Sequence, residues 1–460
     1  MKDRSPATKR LILAAAVITS FINPFLGAAI NIALPAISED FSLGAVGMSW
    51  VSMAFLLSSA IFLVPLGKLA DIRGRKQIFF LGNIIIALSS ILCALSPSGA
   101  VLISLRAIQG IGSAMVFGTG IAIITSVYPP GERGKAIGIT VTSVYIGLSL
   151  APFLGGILTE YFGWRSIFYA TIPFEVLVIW IIWRYIKEEW ADARGEKFDW
   201  PGSVIYLFSM SAFMFGFSKL PGISAIILTA TGLLGLIGFV ILEKRLKFPV
   251  FDIRLFASNR LFAFSNLAAL INYATTFAIT FLLSLYLQYI LGLSPRDAGM
   301  ILVTQPVLMA IVASISGKLS DRHDPRILAS AGMGIITGGL IMLSFLREDS
   351  GISYLVVILA IVGFGFGMFS SPNTNAIMGS VDKKYLGIAS ATVGTMRLTG
   401  QMMSMGIATL ILQVFIGNNP ISIQNSAEFL TSMRTTFIVF VFLCIVGLFS
   451  SLARGKPKNS

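Results

Sequence analysis

Long apolar segments recur along almost the whole chain, and they constrain its fold more than any other feature. Each is about 20 residues long or longer, enough to cross a bilayer as a helix. Only 12% of the 460 residues are charged, far too few to cover a water-soluble domain of this size. The sequence therefore predicts an all-α, polytopic membrane protein with fourteen spans, near residues 11–34, 48–68, 77–96, 101–126, 135–158, 164–184, 201–219, 222–242, 261–291, 298–317, 327–346, 352–378, 386–416 and 434–453.

Residue types that build metal sites or disulfides are scarce. The two cysteines, Cys93 and Cys444, both lie in apolar segments and are interpreted as small buried hydrophobic residues. The single histidine, His323, lies in a loop, so one chain cannot supply a histidine metal cluster. We expect no metal and no cofactor. The first apolar segment is also too long for a cleaved signal peptide.

The positive charges orient the spans. The loops that would face outward hold only five of the 34 lysines and arginines, and the positive-inside rule then puts both termini in the cytoplasm. We expect a multi-pass protein of the cell membrane whose net charge of +13 reflects this topology and contact with anionic lipid. No nucleic-acid partner is needed. The five outward residues are Arg165, Lys219, Arg296, Arg347 and Arg434.

Two charged loops occur twice at nearly the same offset. Segment 67–76 (GKLADIRGRK) has a weaker copy 250 residues later at 317–326, and segment 133–138 corresponds to 383–387 at an offset of 249. Agreement of two loops implies that the first six and last six spans are copies. Two halves that rock against each other are typical of secondary transporters.

The repeat also predicts the domain organisation. Residues 1–184 form an N-terminal six-helix bundle, and residues 261–460 form a C-terminal six-helix bundle. Residues 185–260 between them form a linker with two inserted helices.

Motifs in the first half resemble the major facilitator superfamily, in particular its fourteen-span branch of drug:proton antiporters. Their order and spacing carry the resemblance more than any one of them does. It implies the major facilitator fold and transport by alternating access. The motifs are 31–35 (NIALP), 50–51 with 55–57 in the second span, 105–112 (LRAIQGIG), 147–156 and 163–168 (GWRSIF).

The charged loops, of which segment 67–76 is called the hinge below, supply the candidate gating residues Asp71, Arg73, Arg75, Glu132 and Asp321. A carboxylate at a helix end can cap the helix, and Arg75 can pair with a nearby acid such as Glu132. The resemblance implies that this cluster latches the two halves when the cavity opens outward. A basic loop that only sets the topology is the alternative.

Arg106 and Glu175 are the candidates for proton coupling. An isolated charge within a span costs at least about 2.5–3.5 kcal/mol, and the family links the arginine matching Arg106 to proton coupling. The acid that related exporters carry in the first span is Leu26 here, which leaves Glu175, roughly 16 Å into the sixth span, as the deep acid. Alternatively, backbone carbonyls hold Arg106, and Glu175 only bonds a neighbouring helix.

Polar residues within spans are the candidates for the substrate cavity. Arg397 and Gln401 lie one turn apart on one helical face of the thirteenth span. Each candidate could instead satisfy a neighbouring backbone group. The full set is Asn23, Gln109, Tyr145, Asn272, Tyr273, Gln305, Arg397 and Gln401.

The fifth span contains residues that favour close helix packing and a bend, namely Gly147, Pro152, Gly155 and Gly156. The family's usual glycine before this proline is Ala151 here.

These features predict a secondary active transporter that exports lipophilic drugs or toxic compounds in exchange for protons. Two arginines against one glutamate within the spans leave open a transporter of organic anions or lipid-like molecules, with or without proton coupling. A non-transporting membrane sensor is a remote alternative, because no output domain is present. An enzyme is not expected, since the spans offer no catalytic cluster, and no phosphate-binding loop for ATP occurs.

The expected partners are a small-molecule substrate, protons and membrane lipid. A monomer suffices for transport in this scheme, and the sequence leaves the oligomeric state open.

Overall fold

The protein is described by a computed structural model that covers residues 6–246, 249–251, 253–320, 322–381, 386–417 and 419–455. Within these ranges the chain is almost entirely helical, and none of these residues lies in a strand. Fourteen helices are long and apolar enough to cross a membrane. The predicted all-α fold with fourteen spans is therefore confirmed.

The first eight helices each correspond to one predicted span. Several are longer than predicted, because hydropathy marks only the part of a helix that matches the hydrocarbon core, whereas the first helix runs for 36 residues. The helices are α1 (Pro6–Phe41), α2 (Ala45–Arg73), α3 (Arg75–Ala94), α4 (Gly99–Val127), α5 (Pro130–Phe162), α6 (Ser166–Tyr185), α7 (Trp200–Ser218) and α8 (Ile223–Glu243).

The remaining spans include one that is broken. The tenth predicted span consists of two helices separated at Val303, because Pro306 has no N–H for the carbonyl of Leu302 and its ring crowds that turn. The helices are α9 (Arg254–Ser258), α10 (Arg260–Leu285, followed by a π-helical turn, Tyr286–Ile290), α11 (Pro295–Leu302), α12 (Thr304–Leu319), α13 (Pro325–Leu343), α14 (Ile352–Gly379), α15 (Leu386–Phe415) and α16 (Ser426–Ala453).

The two sets of six spans pack in the same pattern. In the first set α1 packs on α5, α4 packs on α2 and α3, and α3 packs on α6. In the second set α10 packs on α15, α14 packs on α12 and α13, and α13 packs on α16. The repeat inferred from two charged loops thus extends to the helix packing of both bundles, called the first and second halves below.

Helices α7 and α8 form a hairpin at the edge of the seam between the halves. Helix α7 contacts α2 of the first half and α15 of the second. The ring of Phe215 lies 5.5 Å from that of Trp50, and Phe217 lies beside Gly406. Most side chains of α8 point away from the protein, as expected for a lipid-facing helix.

The halves meet most tightly on one face of the protein. We call the face where α1 begins and α16 ends the terminal face, and the other the opposite face. At the opposite face Ser284 donates a hydrogen bond to the carbonyl of Asn31 at 2.8 Å, and Gln288 donates to that of Ile32 at 3.0 Å. The backbone N–H of Arg296 donates to Glu160 at 3.1 Å. These bonds close the seam.

The contacts towards the terminal face are of a weaker kind. Leu63 of α2 lies 3.7 Å from the position a Cβ atom would take on Gly394 of α15. The guanidinium of Arg397 lies over the ring of Phe117 at 4.8 Å. Hydrogen bonds between the halves occur at mid-depth and at the opposite face.

The backbone approach of α5 to α11 requires glycine at position 156. A Cβ atom there would lie 2.5 Å from the carbonyl oxygen of Pro295 and 3.0 Å from the Cα of Arg296. Real Cβ atoms do not approach backbone so closely, so a side chain must push the two halves apart. Gly138 on the same helix has no such neighbour within 4 Å.

We predict that Gly156→Leu opens the opposite face. A Ser284→Cys reporter, fully buried between the halves, should react faster with a maleimide in this background. The native Cys93 and Cys444 are buried and supply a low background. Gly138→Leu is the matched control and should leave the labelling rate unchanged. Equal rates in both backgrounds would contradict the role of this contact.

Candidate functional site

A cavity lies between the two halves, as expected for a small-molecule site. Both halves contribute to its wall, which is mostly apolar and rich in aromatic rings. The lining residues are Asn23, Pro24, Gly27, Ala28, Asn31, Phe55, Leu56, Ser113, Phe117, Val144, Tyr145, Leu148, Pro152, Tyr273, Thr276, Phe277, Thr280, Gln305, Pro306, Met309, Phe366, Arg397, Leu398 and Gln401.

Most of the predicted cavity residues lie on this wall, and two do not. Gln109 and Asn272 are fully buried elsewhere. The reason is helical phase, since a polar residue within a span can face a neighbouring helix as easily as the cavity. The predicted residues on the wall are Asn23, Tyr145, Tyr273, Gln305, Arg397 and Gln401.

Arg106 holds the interior of the first half together. Its Nε donates to the carbonyl of Val51 at 3.2 Å, and its Nη2 donates to that of Leu26 at 3.4 Å. Its Nη1 donates to Gln109 at 2.5 Å, and its guanidinium lies 4.5 Å from the ring centre of Phe55. Arg106, on α4, thus joins α1 and α2 behind the cavity wall. This is the arrangement, with backbone carbonyls holding the arginine, that the sequence analysis left open as the alternative.

Gln109 is the second member of this network. Its amide donates to the hydroxyl of Ser90 on α3 at 2.8 Å while its oxygen accepts from Arg106. The oxygen and the nitrogen of the Gln109 amide are therefore both hydrogen-bonded within the first half, which accounts for its position away from the cavity.

Glu175 is buried and forms no hydrogen bond with the part of the chain that the structure describes. It lies on α6, which packs against α1 and α3, and it does not line the cavity. Both of its carboxyl oxygens lack a hydrogen bond. The nearby hydroxyl of Thr171 donates to the carbonyl of Phe168 at 2.9 Å, so it is already used.

The four packing residues of α5 face different neighbours. Gly147 lies against the backbone of Phe21, and Gly155 lies against Ala29, so both serve the contact of α5 with α1. The carbonyl of Pro152 faces Gly299 of α11, next to the contact of Gly156 with the second half. Helix α5 therefore joins the inner packing of the first half to the seam.

Within the hinge loop, Arg75 lies at the centre of the ion pairs. It pairs with Asp71 one turn earlier at 2.7 Å and with Asp192 at 2.8 Å, and it donates to the hydroxyl of Ser126 at 3.1 Å. Glu132, the acid proposed as its partner from the sequence, is not among these contacts. The second acid comes instead from the segment after α6, more than 110 residues along the chain.

That segment, 186–199, covers the hinge and is called the linker segment below. The carboxylate of Glu189 accepts from the backbone N–H groups of Lys76 at 2.7 Å and Gln77 at 3.1 Å, and so caps the start of α3. Gly74, with a φ of 135°, leaves the space that the Glu189 carboxyl occupies. Lys68 pairs with Glu196 at 2.6 Å.

The other gating candidates are not brought together. Arg73 and Glu132 are exposed, and Asp321 lies outside the described residues. Burial, and secondarily the charge of Glu132, raises the pKa of the Tyr128 hydroxyl above its ordinary value. In the described part of the chain, the hinge contacts the linker segment and α4 of its own half.

The sequence profile of the Major Facilitator Superfamily matches residues 16–264 and 265–460. The chain belongs to this superfamily. The Riboflavin transporter RibZ of Clostridioides difficile is 30% identical over 441 residues, 96% of each protein. Multidrug resistance protein Stp of Mycobacterium tuberculosis is 30% identical over 84% of this chain and 73% of its own length.

Solved structures agree on the fold. A bacterial homologue of the human lysosomal transporter Spinster, in an inward-facing and unoccupied conformation, matches with a TM-score of 0.70 and 19% identity over 98% of each chain. As a major facilitator with multidrug-type relatives such as Stp, the protein is a membrane transporter and not an enzyme.

Several wall residues of this major facilitator were missed by the sequence reasoning. Asn31 lies in a quoted motif but received no role, although its Oδ1 accepts from Ser52 at 2.6 Å on the wall. Phe117, Phe277 and Thr276 carry no local signal, because such residues also fill lipid-facing positions. The repeat provides the usable signal, since α10 is the counterpart of α1 and α15 that of α5, and all four helices line the cavity.

We predict that Glu189→Ala loosens the first turn of α3. Loss of a helix cap costs about 1 kcal/mol, and the amides of Lys76 and Gln77 lose their acceptor. Hydrogen exchange should become faster at these two amides. Glu39→Ala, which removes an exposed carboxyl of α1, is the control. Unchanged exchange in Glu189→Ala would show that the linker segment does not cap α3.

Proposed function

We propose that this protein is a proton-coupled secondary transporter that exports lipophilic compounds by alternating access. The central observation is the aromatic-walled cavity between two repeated halves, which are joined by hydrogen bonds at one face and by side-chain packing such as that of Arg397 on Phe117 towards the other. A single site that is enclosed by two similar bundles can be exposed to either side when the bundles rock. The similarity to Multidrug resistance protein Stp supports a drug-like substrate.

In this proposal the terminal face is cytoplasmic and the protein lies in the cell membrane. The hinge, the linker segment, the start of α1 and the end of α16 lie at this face, with most of the lysines and arginines that the structure describes. The positive-inside rule assigns such a face to the cytoplasm. The conformation described here is then the one closed to the outside.

Residues 1–184 and 261–460 serve as the two moving units, and residues 185–260 connect them. The linker segment fixes the hinge within the first unit through Glu189, Asp192 and Glu196. In the outward-open state the hinge is proposed to latch onto the second unit, which is the role that Asp71 and Arg75 were assigned from the sequence. Arg73, Glu132 and Asp321 belong to the same proposed latch.

Glu175 is the proposed proton carrier. A charged carboxylate with no partner is costly inside a membrane protein, so this conformation favours the neutral, protonated side chain. Release of the proton requires a conformation in which the carboxylate gains water or a partner. Protonation of Glu175 is thereby linked to the conformation of the first half, whose interior Arg106 holds together.

A second candidate function is transport of organic anions or lipid-like molecules without proton coupling. Two observations favour it. The one charged side chain among the described wall residues is Arg397, and Glu175 lies away from the cavity. The two candidates differ in whether a proton gradient drives uptake.

We predict that Glu175→Gln abolishes gradient-driven transport while leaving the fold intact. Glutamine has the shape of the protonated acid but cannot release a proton. Everted membrane vesicles with an imposed acid interior would be supplied with a cationic, a neutral and an anionic lipophilic dye. We expect wild-type uptake of at least one dye to fall about tenfold or more in the variant.

Glu39→Gln provides the matched control, because it removes an exposed carboxyl from α1 and should transport like the wild type. Gradient-driven uptake that is equal in wild type and Glu175→Gln would exclude Glu175 as the carrier. Uptake that ignores the gradient in the wild type would favour the second candidate. No uptake of any dye would contradict export of lipophilic compounds.

A further inference from the structure

The charge of the cavity wall is one-sided. Among the described residues that line it, Arg397 is basic and no aspartate or glutamate is present. Arg106 adds a second positive charge directly behind Phe55, one of the wall residues. A cationic substrate in this cavity therefore meets repulsion and no carboxylate to pair with, whereas an anion meets two favourable charges.

The guanidinium of Arg397 is available for a ligand. It forms no hydrogen bond or ion pair with the described residues, and its contact is with the ring of Phe117, 4.8 Å from its centre. A ring on one face of a guanidinium leaves its N–H edge free for two parallel hydrogen bonds to a carboxylate or a similar anion. An unpaired arginine within a membrane protein is otherwise expensive.

The rest of the wall suits a flat aromatic body. Rings from both halves face the cavity, among them Phe55 and Tyr145 from the first half and Tyr273 and Phe366 from the second. The rings of Tyr273 and Phe366 pack edge to face at a distance of 5.5 Å, which leaves a stable aromatic corner. Stacking and edge contacts with such rings favour planar ligands over branched aliphatic ones.

We propose that the cavity selects planar aromatic anions and that Arg397, backed by Phe117, is its anion subsite. This inference rests on the proposed transport function, whose second candidate it narrows. The subsite spans the seam, since Arg397 belongs to α15 of the second half and Phe117 to α4 of the first. An anion bound to Arg397 thus lies between the two halves, on the side of the cavity that is nearer the terminal face.

Binding of two dyes that share the same three-ring skeleton tests the proposal. Anionic fluorescein and the cationic tetramethylrhodamine methyl ester would be titrated into the purified protein and followed by fluorescence anisotropy. We expect fluorescein to bind on the order of tenfold or more tightly than the cation. Arg397→Gln should weaken fluorescein binding about tenfold or more, and Arg397→Lys, which keeps the charge, should retain part of it.

Lys219→Gln is the matched charge control, because it removes one positive charge outside the cavity, from a side chain that packs over Phe215. It should leave both affinities unchanged. Tighter binding of the cation, no binding of fluorescein, or equal fluorescein binding in wild type and Arg397→Gln would each overturn the anion subsite.

Transport in proteoliposomes separates this inference from the proposed function. If fluorescein binds through Arg397 but neither dye crosses the membrane, transport fails and the subsite stands. If the cationic dye is the one transported, and Arg397→Gln moves it as well as the wild type does, transport stands and the subsite is wrong.

Discussion

The close backbone contact between α5 and α11 at the opposite face is the interaction on which the rest of this structure depends. Gly156 lets the backbone of Pro295 approach to a distance that no side chain would allow. With the helices held there, Ser284 reaches the carbonyl of Asn31 and Gln288 reaches that of Ile32, so hydrogen bonds join the halves on that side of the cavity. Towards the terminal side, the described contacts between the halves include the packing of Leu63 on Gly394 and of Arg397 on Phe117, and rocking about the cavity would loosen such side-chain packing without breaking a hydrogen bond.

Three ionisable side chains within the spans, Arg106, Glu175 and Arg397, differ in how far hydrogen bonds offset the cost of burying a charge. Arg106 is satisfied by two backbone carbonyls and Gln109, and is built into the first half. Glu175 has no hydrogen-bond partner among the described residues, which is far less costly for the neutral acid than for the carboxylate. Arg397 lies at the cavity wall with its polar edge unused. The two unsatisfied groups are those to which we assign a proton and a substrate.

The sequence was sufficient for the fold because a bilayer allows few solutions. Apolar segments of spanning length must be helices, and each predicted span is present. Helix ends were less predictable, since α1 continues beyond the apolar stretch that marks it. The break at Val303 follows from Pro306. This proline is visible in the sequence, but it lies within a long apolar segment that was predicted as one uninterrupted span.

The site was only partly predictable, because sequence spacing does not tell which face of a helix meets the cavity and because partners can lie far apart along the chain. Polar residues such as Tyr145 and Arg397 were found because they interrupt apolar spans, but the same signal also selected Gln109, which faces Arg106 instead. Which face of a helix meets the cavity depends on neighbours that sequence spacing does not reveal. Likewise, the partner of Arg75 is Asp192, from a linker segment that shows no pattern of its own.

The central claim is that the two halves rock about the cavity, and paired distance measurements on both faces test it most directly. Spin labels would be placed at exposed positions, Phe162 with Asp349 on the opposite face and Lys135 with Arg322 on the terminal face. As pH or a transported dye shifts the conformation, the account predicts that the opposite-face distance lengthens while the terminal-face distance shortens. Distances that stay fixed, or that change in the same direction on both faces, would contradict it.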